Sequence, residues 1–587
     1  MESSKASLHE HAVAAFFAAA GVIFLLYPSM TGNIITTDLF TKEMHIITGY
    51  AIAIFSLLTA IILAFPRLAE KIPLPNGKMD YRKIALLLLV LNIFIKLPLS
   101  MLVPQSFYYH DGAQYSSIAM HIYNGEGFVT STLWDIMLRK EGLPFAETSR
   151  APLVPYMIAG MYHIFGVSFF AEKLLFVLIS SLIPALSYLM FRCISSGRVA
   201  FLGAVLLSFD WIIFTYSRVV HTELPFMLFT SLFLLALFSF RERWRDYAFI
   251  GAAFALAYLT RYQALYVFPL VALAYFYAGR KELKGALAKA SAITLLCILL
   301  VSPWLLRNAT VADGPFSSDL PYLIVGSYGG RDFSSYVYSL DTMPETLWSV
   351  VARDPLLVLK ESLSTVAGMI AFTPYLVFSN PLLMLFAAAG AYVLLARDKK
   401  HALPLFAMVF LTYATLALTL PVARYLYGLI PVFALLAAEG AFFAWYSAGR
   451  YRFLVPVALA FCATISVILI GFAYSNLGEK GESSFGTYNL FNEFIMPNNL
   501  TNATFMVDSF PYFYEYYSHA KMKVLQFPYY SNGGEFYDYA KKYGVEYVVL
   551  HKDSILRVPM KLPGDFRGKK IFEDSLRIVY TMPRDSA

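Results

Sequence analysis

Apolar runs of roughly twenty residues recur along the first 475 positions, each closed by a short polar turn, the pattern of helices that cross about 30 Å of hydrocarbon. It predicts about thirteen spans, at residues 11–31, 44–65, 84–104, 171–193, 198–216, 222–240, 247–260, 262–278, 287–307, 381–396, 402–420, 424–443 and 453–474. Two further apolar stretches, Pro152–Phe165 and Ser362–Phe378, are short or Pro-interrupted and predict helices lying in the interface. Basic residues concentrate in alternate loops: Arg67/Lys71/Lys78/Arg82/Lys83, Arg192/Arg198, Arg241/Arg243/Arg245, Arg280/Lys281/Lys284, Arg397/Lys399/Lys400 and Arg450/Arg452. The positive-inside bias makes these cytoplasmic. The outer face then receives the 105–150 loop, Ser217–His221, the turn at Arg261, the 308–358 loop, the turn at Val422–Arg424 and the C-terminal tail. Helix parity agrees with this charge pattern once the two short stretches do not span.

The tail from about Gly478 changes character. Thr504–Val507 and Lys523–Phe527 read as strands, Gly533–Tyr543 as a helix and Val545–Leu550 as a buried strand. The expected organisation is therefore two N-terminal spans with a cytoplasmic loop (1–83), a core of spans with outer loops 105–150 and 308–358 (84–475), and a small extracytoplasmic α/β domain (476–587). The tail has no phosphate loop, nucleophile elbow or metal-ligand spacing, so its expected role is to shape an acceptor path.

Composition agrees with an all-α polytopic membrane protein: 58% apolar, 17% aromatic and only 14% charged residues. The net charge of +7 belongs to the loop alternation rather than to a nucleic-acid footprint. Cys193, Cys297 and Cys462 all fall in apolar spans, so no disulfide framework or metal cluster is in view. The N-terminus carries only Lys5 as a basic residue and no small-x-small cleavage pattern, and reads as a retained span. Three sequons, Asn308-Ala-Thr310, Asn499-Leu-Thr501 and Asn502-Ala-Thr504, fall on the expected outer face.

Candidate chemistry begins at Phe107-Tyr-Tyr-His-Asp-Gly-Ala-Gln-Tyr115, just beyond a span. Ionisable groups at a membrane boundary are costly and mark sites. Asp111 reads in two ways. It is a helix N-cap with Gln114 three residues on and Gly125 ending the helix, or a general base facing an acceptor hydroxyl, with His110 and Tyr115 beside it. Glu223 is an acid in a first helical turn, favoured by the helix dipole, or part of a cluster with Arg218 and His221. Arg150, Arg218, Arg261, Arg307 and Arg424 sit at outer span ends against the usual charge bias, where guanidinium forks suit a phosphate headgroup.

The order of these features resembles the GT-C glycosyltransferases that use polyprenyl-phosphate sugars, specifically the protein mannosyltransferase and ArnT-like superfamily. The matching pieces are Asp111-Gly-Ala-Gln-Tyr115, Arg150-Ala-Pro-Leu153 with Phe165-Gly166, Ser217-Arg218…Glu223-Leu-Pro225, Leu259-Thr-Arg261, Pro303-Trp304…Arg307-Asn308 and Arg424-Tyr425…Pro431. The resemblance implies a GT-C fold and transfer of one sugar from a polyprenyl or dolichyl phosphate to a protein, glycan or lipid hydroxyl on the outer face. Asp111 is then the base, with Glu223 as second candidate. Arg150, Arg218, Arg261, Arg424, Tyr115 and His110 hold the donor phosphate and sugar. Two departures matter. Gly112 stands where family members often have Glu, which leaves a divalent cation as an open option, and Arg150-Ala-Pro stands where Lys-Pro-Pro is common. A lipid-linked-sugar flippase and a glycan ligase or polymerase are the alternatives.

Overall fold

The computed structural model describes residues 80–102, 110–312 (apart from 135, 136 and 139), 314–316, 347–378, 381–418, 423–475, 482–508, 510–529, 533–552 and 562–583. The two N-terminal spans, most of the 308–358 loop and residues 107–109 of the polar knot lie outside them. Each of the other predicted spans falls on helix, 198–216 on two separate helices. The first part runs α1 (Tyr81–Met101), α2 (His110–Tyr123), the short strands β1 (Val129–Thr130), β2 (Thr132–Leu133) and β3 (Phe145–Ala146), α3 (Leu153–Phe165), α4 (Phe169–Arg192), α5 (Gly197–Ser208) and α6 (Trp211–Tyr216). It continues with α7 (Glu223–Phe238), α8 (Trp244–Thr260), α9 (Ala264–Arg280), α10 (Leu283–Val311), α11 (Leu347–Arg353), α12 (Pro355–Phe378), α13 (Pro381–Arg397) and α14 (Lys399–Ala417). A 3-10 helix (Ala423–Leu429) leads into α15 (Ile430–Ser447), and α16 (Leu454–Ser475) ends the bundle. Among the described residues, five segments are long and apolar enough to cross a membrane: α1, α4, α10, α14 and Arg424–Ser447.

Arg424–Ser447 is the axis of the bundle, with 94% of its apolar window buried. Between helices in lipid, close packing rather than water exclusion drives association, and small residues permit it. Gly390 and Gly440 show the requirement: a Cβ on Gly390 would stand 1.8 Å from the Leu436 carbonyl oxygen, and one on Gly440 1.8 Å from that of Phe386. Backbone therefore meets backbone where α13 crosses α15.

The predicted span 198–216 is two helices. Asp210 is buried and accepts the amide hydrogens of Ile212 and Ile213, both at 3.0 Å, so its carboxylate caps a new helix instead of continuing the old one. Helix α12 begins seven residues before the expected Ser362 and reaches 24 residues. Asn308 is buried and accepts from Arg307 at 3.0 Å, which removes it as a glycan acceptor; Asn499 and Asn502 are exposed.

The tail contributes α17 (Glu482–Leu490), β4 (Thr504–Val507), α18 (Pro511–Tyr517), β5 (Lys523–Gln526), α19 (Gly533–Lys542), β6 (Tyr547–His551), β7 (Lys570–Glu573) and β8 (Arg577–Thr581). Its sheet runs β2-β5-β4-β6-β8-β7, parallel from β2 to β6 and antiparallel beyond. The edge strand β2 comes from the first loop, with Thr132 opposite Val524 and Leu133 opposite Leu525. The tail is thus sewn onto the 105–150 loop. The stitch is Glu515, fully buried, which accepts from Ser131 N at 2.6 Å, Thr132 Oγ1 at 2.6 Å and Thr130 Oγ1 at 3.0 Å, and meets His121 Nε2 at 2.9 Å.

A candidate active site at one end of the bundle

The polar residues that open or precede α2, α3, α7, α9 and the 3-10 helix converge. Asp111, in the first turn of α2, receives Arg150 Nη2 at 2.8 Å on one carboxylate oxygen and Arg424 Nη2 at 2.6 Å on the other. Glu223, in the first turn of α7, meets Arg261 Nη1 at 3.2 Å and lies 3.6 Å from Arg424 Nε. Arg424 therefore spans the two acids. His221 stands between them: its Nε2 accepts from Arg424 Nη1 at 3.0 Å, and its Nδ1 contacts Glu223. A guanidinium can only donate, so Nε2 is the acceptor nitrogen and the ring proton on Nδ1 faces Glu223.

Asp111 and Arg424 retain access to solvent, with side chains 14% and 29% exposed, while Glu223 is sealed at 1%. The open pair can meet a ligand; the sealed acid holds its neighbours in place.

Arg150 is positioned by a chain of buried hydrogen bonds. Its Nε donates to Gln114 Oε1 at 2.5 Å, and Gln114 Nε2 donates to Glu147 at 3.1 Å. Glu147, fully buried, also accepts from the amide and the hydroxyl of Ser149, each at 2.6 Å. The guanidinium lies over Tyr115 (5.3 Å to the ring centroid) and Trp134 (5.6 Å). Burial opposes its charge, but Asp111 and then Tyr115 outweigh that, so the Arg150 pKa stands well above its ordinary value. Burial pushes the Tyr115 hydroxyl up, keeping it protonated. The backbone at Arg150 is pinned by Tyr262, whose hydroxyl donates to the Arg150 carbonyl at 3.2 Å and accepts from Trp304 Nε1 at 3.2 Å. Arg261 stacks 4.0 Å over Tyr425.

The structure thus brings together Asp111, Glu223, Arg150, Arg261, Arg424 and Tyr115. His110 opens the helix that carries Asp111. Arg218 keeps other company: it is buried, its Nε donates to the Thr215 carbonyl at 3.2 Å, and its charge acts on Lys173. Arg307 is a brace, donating to the carbonyls of Glu147 (2.7 Å) and Phe128 (2.9 Å). Sequence reasoning set His221 beside Glu223 without giving it a role and missed Glu147, whose signal was an acid three residues before Arg150. The helix opens at His110, so Asp111 lies inside its first turn rather than at the cap, and the Gln114 side chain bonds Glu147 and Arg150. A divalent cation fits poorly here: Asp111, His221 and Glu223 converge, but both acids already face arginine or histidine, and among the described residues no group of three His, Cys, Asp or Glu is arranged to hold a metal ion.

This architecture is the GT-C glycosyltransferase fold. It is similar to ArnT from Cupriavidus metallidurans in complex with undecaprenyl phosphate, with a TM-score of 0.55 at 12% identity over 85% of this chain and 98% of that one. The oligosaccharyltransferase of Archaeoglobus fulgidus, tethered to an acceptor peptide containing the NVT sequon, gives a TM-score of 0.55 at 14% identity over 80% of this chain and 69% of that one. Residues 149–306 match the dolichyl-phosphate-mannose-protein mannosyltransferase family model, a segment that holds Arg150, Arg218, Glu223 and Arg261. An uncharacterised protein of Aquifex aeolicus (strain VF5) is 25% identical over 295 residues, which are 50% of this chain and 52% of that protein. The chain thus spans about half the length of that relative.

Proposed function

We propose that this protein is a membrane glycosyltransferase that moves a single sugar from a polyprenyl or dolichyl phosphate to an acceptor hydroxyl on the extracytoplasmic face. The observation that carries the reading is the solvent-reachable Asp111 held between Arg150 and Arg424 at the mouth of a GT-C bundle. Arg150 and Arg424 use Asp111 as their counter-ion. A donor phosphate offers them more negative charge and a matching fork. Its arrival draws Arg424 off Asp111 and Arg261 off Glu223, and Asp111, left with Arg150 as its one guanidinium partner of the two, becomes a stronger base. The acceptor oxygen attacks the anomeric carbon as its proton passes to Asp111. The carbon–phosphate-oxygen bond breaks with inversion, and the charge left on the lipid phosphate is met by the arginines. Glu223 acts through its partners, orienting His221 and Arg261.

The test is transfer by the purified protein in proteoliposomes containing a polyprenyl-monophosphate sugar. A glycosylated acceptor with lipid monophosphate released supports the reading. Transfer only from lipid pyrophosphate-linked glycan points to the ligase class. Transport is the competing reading, favoured by the helix break at Asp210 and by Lys96, buried within α1. Translocation of a lipid-linked sugar without transfer would decide for it.

A further inference from the structure

A cavity of about 420 Å³ lies between the bundle and the tail, away from Asp111. One wall is the α3–α4 turn (Val167–Phe169), Glu172 and Met120 of α2; the other is built from residues 488–501 and 516–521. We propose that it is a saccharide-binding site that holds a non-reacting sugar of the acceptor, which makes the acceptor a glycan of more than one unit. This rests on the transfer reading above.

The lining has the chemistry of a sugar site. Phe169, Tyr488, Phe491 and Tyr517 supply aromatic surface for C–H faces, with Tyr488 and Phe491 packed 5.3 and 6.2 Å from Tyr517. Asn492 and Asn499 are exposed amides, each able to donate and accept toward hydroxyl pairs. Glu172 adds a carboxylate that is 1% exposed and is fixed by the hydroxyls of Tyr162 and Tyr516. That acid at the wall disfavours a phosphate headgroup, and the one lining lysine, Lys521, offsets it. A neutral, hydroxyl-rich ligand suits this balance. The volume lies within the ~300–1,000 Å³ of small-molecule pockets, whose lining is apolar with a few placed polar groups.

Position supplies the link to transfer. Met120 is nine residues beyond Asp111 on the same helix, about 13 Å along its axis at 1.5 Å per residue and, at about 100° per residue, on the opposite face, so the acceptor would reach Asp111 by passing around α2. A glycan of several units covers that path. Binding energy gained on remote sugars would orient the reacting hydroxyl, as remote substrate contacts do in enzymes generally.

The test uses the full-length protein in nanodiscs and neutral gluco- and manno-oligosaccharides of one to four units, with binding read by saturation-transfer NMR and calorimetry. The longer glycans should bind. Tyr488→Ala and Asn492→Ala should each weaken them by about tenfold, the scale of one lost hydrogen bond or ring contact. Asn492 is exposed, so its variant keeps the test independent of folding. Asp111→Asn should leave this binding intact. The proposal is overturned if none of the glycans binds, if both variants bind as the parent does, or if only phosphate-bearing glycans or inorganic phosphate bind. Glycan binding through Tyr488 and Asn492 in a protein that transfers no sugar would uphold this site and overturn the proposed function instead.

Discussion

Asp111→Asn isolates the chemistry of the carboxylate from its packing. The amide is nearly the same size, but it replaces one carboxylate oxygen with a donor. One of the contacts to Arg150 (2.8 Å) or Arg424 (2.6 Å) becomes donor against donor. Each charge-assisted bond is worth about 1.5–3 kcal/mol when buried, and less here because both Asp111 and Arg424 reach solvent. A modest drop in melting temperature is therefore expected. The rate effect is larger. A positioned base contributes about 10²–10⁴-fold, or roughly 3–5 kcal/mol at 1.36 kcal/mol per decade. The assay is single-turnover transfer in proteoliposomes at saturating donor, with thermal stability and lipid-phosphate affinity measured on the same preparation. Turnover should fall at least 10²-fold, while lipid-phosphate affinity holds or tightens because Asp111 no longer competes for Arg424. Turnover within threefold of the parent, with Glu223→Gln inactive, would refute the assignment and move the base to Glu223. Normal turnover in both variants would refute the mechanism.

Arg424→Ala should cost on the order of 10²-fold or more in turnover, because this guanidinium spans both acids and in the proposed mechanism meets the developing phosphate charge; Arg452→Ala, against Trp445 in a loop expected on the opposite side of the membrane, should be near neutral in the same assay. Burial disfavours charge on His121, but Glu515 and Glu126 outweigh it and raise its pKa. Its stabilising effect is therefore complete below the unfolded imidazole value of about 6.5 and is lost as pH rises through the higher folded value. The melting temperature should fall over that upper range, and His121→Gln should flatten the slope. In a cysteine-free background, Lys541→Cys should react with an impermeant thiol reagent in intact cells and Arg245→Cys should not; the reverse would invert the topology.

The helical class, the positions of most of the described helices and most of the candidate site's residue types were legible in the chain because hydropathy and charge alternation are local properties, read over one helix length. The strands Thr504–Val507 and Lys523–Gln526 were legible for the same reason. What only the tertiary structure decided is which polar groups share a site. Arg218 and Arg424 look alike as outer-boundary arginines, yet one lies against its own turn and the other spans two acids. His121 and Glu515, 394 residues apart, carry no mutual signal, and their contact fastens the tail to the helix that bears Asp111. The same holds for β2, too short to read as a strand until β5 supplies its hydrogen bonds. Ionic and ladder partners are set by where helix ends arrive in space, which depends on packing such as the Gly390–Gly440 crossing and not on the residues that flank each charge.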